Sequence, residues 1–172
     1  MEDNTIQIQY YQSPCGELIL GSYNDELCLC DWTLNAKRRE IIDRRIQKIL
    51  QATYVETESK VIAEVISQLN EYFEGKRREF SVPLLFAGTD FQKMVWNELL
   101  NVPYGTTATY LGLSKLLGNS KAVRAVASAN GANAISILVP CHRIIGSNHQ
   151  LTGYAGGLSA KKFLLKLEVS EK

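Results

Sequence analysis

Between Ile6 and Trp32, short apolar runs alternate with turn signals, and this patterning most narrows what the chain can fold into. Ser13-Pro14-Cys15-Gly16 and Ser22-Tyr23-Asn24-Asp25 set off Leu18-Ile19-Leu20 and Leu27-Cys28-Leu29-Cys30. Runs this short, bounded by Pro, Gly, Asn and Asp, predict strands joined by tight reversals, hence a small antiparallel sheet or meander. The period then changes. Ile41, Ile42, Ile46, Ile49 and Leu50 form a helical stripe over Ala36 to Leu50. Ile62, Val65, Ile66, Leu69 and Phe73 repeat it from Ser59 to Glu74, where Gly75 supplies a stop. Residues 1–80 therefore read as an α/β domain, a small antiparallel sheet with helices.

Lys76-Arg77-Arg78-Glu79 reads as a solvated helix exit, and residues 81–88, which hold a Pro and show no helical period, as an extended linker. From 89 to 172 the pattern is mostly helical. Thr89-Asp90-Phe91-Gln92 has capping-box spacing and opens a helix carrying Phe91, Val95, Leu99 and Val102. Thr109 to Leu117 is a short helix stopped by Gly118, and Ser120 stands as the cap of a second helix running to about Asn130. Helix, glycine turn, helix is the outline of a helix-turn-helix. On the second helix, Val123, Val126 and Asn130 fall on one side and Lys121, Arg124, Ala125, Ser128 and Ala129 on the other. Such a small-residue face can approach a groove closely, with Arg124 reaching inward. The high helix propensity of Ala explains the same residues without any ligand.

With 45% hydrophobic and 22% charged residues in 172, the chain can bury real cores, which excludes disorder, a collagen-like repeat and a bare coiled coil. Ile135 to Val139 is far too short to span a bilayer, so no membrane partner is expected. The opening MEDNTIQIQY has no basic-then-apolar leader pattern, and the four cysteines lack disulfide-framework or zinc-finger spacing. Both point to reduced thiols in a cytoplasmic setting. The net charge of +1 hides an asymmetry: residues 1–89 hold 10 Lys and Arg against 14 Asp and Glu, residues 90–172 hold 9 against 4. A basic second half is compatible with a polyanionic partner, and equally with a solvated surface.

The sharpest chemical feature is Ile135-Ser136-Ile137-Leu138-Val139-Pro140-Cys141-His142-Arg143-Ile144-Ile145-Gly146. It reads as an apolar strand that ends at Pro140 and presents Cys141 beside His142 and Arg143. Thiolate is the nucleophilic form of cysteine, and neighbouring imidazole or cationic groups favour it. A buried, inert cysteine is the plain alternative. Adjacent residues on a strand also point to opposite faces, so adjacency alone does not pair the thiol with the imidazole.

Pro140-Cys141-His142-Arg143 followed by Ile144-Ile145-Gly146 strongly resembles the active-site motif of the O6-alkylguanine-DNA alkyltransferases, the methylated-DNA–protein-cysteine methyltransferases. The resemblance extends to Phe91-Gln92, Val95-Trp96, Val102-Pro103-Tyr104-Gly105, Thr109-Tyr110, Gly118-Asn119, Arg124-Ala125-Val126, Ala129-Asn130 with Asn133, and Gly153 to Leu158. It is strong over about residues 81–169. Before that it holds in outline, chiefly at Ser13-Pro14 and Gly16.

The resemblance implies a winged-helix-like helix-turn-helix in the second half and a protein, most simply a monomer, that binds duplex DNA and flips out an alkylated base. It would transfer the O6-alkyl group of guanine, with O4-alkylthymine a further candidate, irreversibly to Cys141 without a cofactor. By position, His142 would deprotonate Cys141 through a water, Glu168 would orient His142, Tyr110 would donate to the base, and Asn133 would brace the active-site turn. Arg124 would fill the space of the flipped nucleotide, with Ala122, Val123, Ala125 and Ala127 at the minor groove. Backbone groups of Cys141, Ile144 and Ala155 would read the guanine edge, with Tyr154 walling the pocket and Arg143 structural. Retention of Cys141 argues against a non-catalytic lesion binder, and nothing outside the Pro-Cys-His-Arg segment suggests a Cys–His hydrolase.

Some residues depart from the family pattern or stand outside it. Ala134 follows the bracing Asn where many members have Pro, and Ser136 stands where some carry a pocket-lid Pro. Asn130 reads as a cap or turn residue, and His149 as solvent-exposed. Cys28 and Cys30, expected on one strand face, lack the partners that tetrahedral zinc needs, so no metal is expected.

Overall fold

The computed structural model describes residues 4–170; the first three residues of the leader reading and the last two of the chain lie outside it. Strands β1 (Thr5–Ser13), β2 (Gly16–Tyr23), β3 (Glu26–Trp32) and β4 (Thr53–Glu56) form one sheet in the order β3-β2-β1-β4. The first three pair antiparallel, as the turn signals predict, but β4 joins β1 in parallel, so the sheet is mixed. Helix α1 (Ala36–Leu50) supplies the long crossover that a parallel pair needs. β4 left no alternation to read: it has four residues at the sheet edge, three of them exposed.

Asn35 caps α1 by accepting from the Arg38 amide. Ile42 and Ile46 pack on Ile6, Ile8, Ile19 and Leu29, whereas Ile41 is 68% and Ile49 49% exposed, so the buried stripe is narrower than the sequence suggested. Helix α2 (Lys60–Phe73), capped by Ser59, covers the opposite face with Ile62, Val65, Leu69 and Tyr72. The pairing slips between Gly21 and Ser22 and leaves Cys28 as the extra residue of a bulge. Cys28 and Cys30 consequently pack in different clusters and do not share a face as expected.

The segment 81–88 docks on β3: Leu27 donates to Pro83 O and Leu85 donates to Leu27 O, both at 2.8 Å. Helix α3 (Asp90–Leu99) begins with the complete Thr89/Gln92 capping box. Then follow β5 (Ala108–Thr109), α4 (Tyr110–Leu116), α5 (Val123–Gly131), β6 (Ile144–Ile145) and α6 (Leu158–Ser170), with β5 and β6 paired in parallel. Ser120 does not cap α5. Ala122 holds that position without a side-chain bond, and Asn119 Oδ1 takes the Lys121 amide instead.

Ala129 also differs from its expected outward place. It lies about 60° round the helix from Val126, is buried, and accepts from Trp96 Nε1 at 2.8 Å. The exposed face of this part of the chain is Lys121, Arg124, Ala125 and Ser128. One apolar core runs without a break from Leu18, Leu27 and Leu69 through Val95, Trp96 and Val126 to Val139 and Leu164. No helix among the described residues is long and apolar enough to cross a membrane.

Candidate active site

Ile135 to Val139 is not a strand. The chain makes one bridge with β3, through Cys30 N–H to Ala134 O at 2.8 Å and Ser136 N–H to Cys30 O at 2.7 Å, and then turns. Ile137 has φ 72°. A β-branched residue in this left-handed region carries roughly 1–3 kcal/mol of strain and persists only where its surroundings hold it. Here Val139 N–H reaches Ile135 O at 3.0 Å, Asn133 Nδ2 donates to Val139 O at 2.9 Å, and Asn133 Oδ1 accepts from Ile135 N–H at 3.0 Å. Ser136 Oγ donates to the buried Asp31 at 3.2 Å. A short apolar run cannot by itself be told from a buried turn, which is why the strand reading failed. Beyond the turn Pro140 leads into a 3₁₀ turn, Cys141–Arg143, that carries the three motif side chains.

Glu168, a last-turn residue of α6, is fully buried. It accepts from Tyr72 OH at 2.7 Å, from Gly105 N–H at 3.3 Å, and from Arg143 Nε and Nη2 at 2.8 and 3.0 Å. Its Oε2 lies 2.7 Å from His142 Nε2. Burial opposes ionisation of Glu168, but the bonds and charges of His142 and Arg143 outweigh it and hold the carboxyl well below the usual range. An ionised carboxylate can only accept, so His142 Nε2 carries the proton and Nδ1 keeps its lone pair. That Nδ1 is buried and has no protein partner among the described residues. Burial pulls the imidazole pKa down against the pull of Glu168, so His142 is a neutral base near pH 7. Burial pushes the Cys141 thiol up, against a hydrogen bond from Asn133, so Cys141 rests as a thiol. Arg143 also donates to Val102 O at 2.7 Å and lies over the Tyr104 ring, a structural position.

Cys141 lines a cavity of about 260 Å³ with Asn35, Arg38, Asn130, Gly131 and Asn133 on one side and Gly153, Tyr154 and Ala155 on the other. Tyr154 packs edge-on against Trp32, ring centroids 5.9 Å apart. The loop behind it must hold glycine, because a Cβ at Gly156 would lie 2.7 Å from the Trp32 indole.

Of the expected pocket residues, Tyr154 and Ala155 line this cavity and two others do not. Ser136 is fully buried on Asp31, and Ile144 is buried behind the turn. Tyr110, at the start of α4, shares a 2.7 Å hydrogen bond with Thr152, just before the Gly153–Ala155 wall. Arg124 and Ala125 are exposed on α5, with Val123 and Ala127 half-buried beside them and Ala122 at the cap. His149 is exposed, as read.

Sequence reasoning missed three residues. Lys161 is buried with no carboxylate partner among the described residues and donates to Ile144 O at 2.7 Å and Thr152 O at 3.4 Å, tying β6 to the cavity wall. The lysine-rich start of α6 offered no signal, since Lys161 and Lys162 look alike in sequence. The buried Asp31 pairs with the partly exposed Arg38, and Arg38 also donates to Gly131 O and Asn133 O, each at 3.0 Å. The first half of the chain thus grips the end of α5 and the active-site turn.

Comparison with known proteins agrees with this geometry. The family described as "6-O-methylguanine DNA methyltransferase, ribonuclease-like domain" matches residues 6–86, and its "DNA binding domain" counterpart matches residues 90–170. A methylated-DNA–protein-cysteine methyltransferase of Methanosarcina acetivorans is 44% identical over 93% of this chain and 96% of its own length. The constitutive enzyme of that name from Bacillus subtilis is 40% identical over 94% and 96%. The crystal structure of the Mycobacterium tuberculosis protein described as OGT in complex with DNA superposes with a TM-score of 0.80, at 37% identity, covering 97% of this chain and 94% of that one. On the motif, the fold and these relatives together, the chain belongs to the methylated-DNA–protein-cysteine methyltransferase family.

Proposed function

We propose that the protein repairs alkylated DNA directly, moving the alkyl group of an O6-alkylguanine onto Cys141 in one irreversible step. The observation that carries this reading is the Glu168–His142 pair beside Cys141: Glu168 fixes the proton on Nε2 and leaves Nδ1 free to accept. A buried, neutral thiol needs such a base at the moment of attack.

Duplex DNA docks against α5, with Lys121, Arg124, Ala125 and Ser128 exposed toward it and Arg124 occupying the space of the extruded nucleotide. The base enters the cavity between the Asn130–Asn133 side and the Gly153–Ala155 wall. The thiol proton passes through one water to His142 Nδ1. Sulfur attacks the alkyl carbon in line, the S–C bond forms as the C–O6 bond breaks, and the electron pair leaves on O6. Tyr110 donates to the base as that charge develops. The proton taken from the thiol returns through solvent to the guanine anion, leaving an unmodified guanine still attached to its strand and a thioether on Cys141, which water does not hydrolyse, so each molecule acts once. O4-alkylthymine presents the same leaving oxygen and is a second substrate. The protein acts as a monomer and needs no cofactor.

The test is stoichiometric. With excess duplex carrying labelled O6-methylguanine, transfer should stop at about one methyl per protein. Continued turnover would point to a hydrolase, and lesion binding without transfer to a sensor.

A further inference from the structure

Most polar side chains that line the Cys141 cavity are committed to the protein, and two are not. Arg38 is paired with Asp31 and donates to Gly131 O and Asn133 O. Asn133 is spent on Ile135 and Val139, and Asn35 on the cap of α1. Of the two, Tyr154 OH is buried without a partner among the described residues, on a ring that packs edge-on against Trp32. The other is Asn130: the residue is 7% exposed, and its Oδ1 is buried with no partner among the described residues.

Helix α5 has no need of an amide there. The neighbouring buried positions, Val126 and Ala129, are apolar, and an apolar side chain at 130 would avoid an unmade hydrogen bond. Asn130 and Cys141 line one cavity, so the residue at 130 borders whatever enters beside the thiol. On the alkyl-transfer reading, on which this inference rests, that is the flipped base and the group bonded to its O6.

We propose that Asn130 is a specificity-determining residue, whose amide makes the wall beside Cys141 polar and so selects small or hydroxyl-bearing alkyl groups over bulky apolar ones. A methyl group is too small to cover the amide. A 2-hydroxyethyl group offers a hydroxyl that donates to Oδ1. A benzyl group seals the amide against an aromatic ring and leaves its oxygen unpaired. Sites holding a buried polar group reject ligands that cannot pair it far more strongly than they reject an extra methylene.

The experiment compares single-turnover rate constants on duplexes carrying O6-methyl-, O6-(2-hydroxyethyl)- or O6-benzylguanine. The proteins are the wild type, Asn130→Leu and Asn130→Asp, with Asn130→Ala replacing the leucine variant should that fail to fold. Ratios between substrates within one protein cancel any general loss of folded material. Asn130→Leu should raise the benzyl-to-methyl ratio about tenfold and lower the hydroxyethyl-to-methyl ratio by a similar factor. Asn130→Asp, which keeps an acceptor, should retain the hydroxyethyl preference. Unchanged ratios, or an equal fall on all three substrates, would make Asn130 structural and overturn the proposal. Failure of the wild type to take even a methyl group would instead overturn the alkyl-transfer reading itself.

Discussion

Replacing Glu168 by Gln removes one negative charge and almost no volume, which makes it a sharp probe of the site. Five hydrogen bonds converge on the Glu168 carboxylate, from Tyr72, Gly105, His142 and twice from Arg143. Arg143 is 6% exposed, so the variant leaves a buried guanidinium without its counter-charge. Breaking a buried pair in this way costs about 3–5 kcal/mol. For a chain of this size that lowers Tm by roughly 6–20 °C, at about 2–4 °C per kcal/mol, while a typical stability of about 5–15 kcal/mol still leaves the protein folded.

The chemical effect is separate. A Gln amide that turns its NH₂ toward Nε2 forces the His142 proton onto Nδ1, the wrong tautomer for a base. Transfer should then slow by the usual worth of general base catalysis, about 10²–10⁴-fold. Thermal melts and single-turnover methyl transfer read the two effects. Tyr72→Phe is the control, since it removes one bond to the same oxygen and should cost about 1 kcal/mol with little loss of rate. A Glu168→Gln protein that melts within 2 °C of wild type, at about the precision of such a comparison, and transfers at the wild-type rate would refute the reasoning.

Because burial lowers the His142 pKa, the transfer rate should stay level as pH falls past the ordinary imidazole value of about 6.5 and decline only below it, as a pH–rate profile would show. The Glu168 carboxyl is held down in the folded state, so its stabilisation is complete above the unfolded value of about 4.3 and is lost as pH falls toward the folded one. Acid denaturation curves of wild type and Glu168→Gln should therefore converge below that pH. Arg124→Ala should leave Tm unchanged, weaken duplex binding and reduce the salt slope by about one, measured by fluorescence anisotropy. Lys161→Met should change stability by only about 1 kcal/mol, since the lost bonds to Ile144 O and Thr152 O are offset by removing a desolvated ammonium. It should nevertheless slow transfer by loosening the Thr152–Ala155 wall, and an unchanged rate would count against that tie.

Local signals were legible wherever the backbone obeys local rules. Thr89 and Gln92 form the capping box that their spacing announced, Gly118 ends α4 with φ 81°, and the reversals at 13–16 and 22–25 join the strands they were read to join. The motif around Cys141 marked residues that the structure brings to one place: Cys141 on the cavity, with His142 and Arg143 on Glu168. What stayed hidden depends on distant partners. The apolar run 135–139 coils because Cys30, Asp31 and Asn133 hold it, and none of these contacts leaves a period in the sequence. β4 exists because β1 offers it an edge. Lys161 and Asn130 gain meaning only from what surrounds them in three dimensions, one a buried cation on two carbonyls, the other an amide whose oxygen has no partner among the described residues.

Intact-protein mass spectrometry after incubation with duplex DNA containing O6-methylguanine tests the transfer most directly, with Cys141→Ser alongside. The wild type should gain the mass of one methyl group, located on Cys141 by peptide mapping, and the variant should gain nothing while still binding the lesion. An unchanged wild-type mass despite tight lesion binding, or a methyl group on Cys15, Cys28 or Cys30, would contradict the assignment of Cys141 as the acceptor.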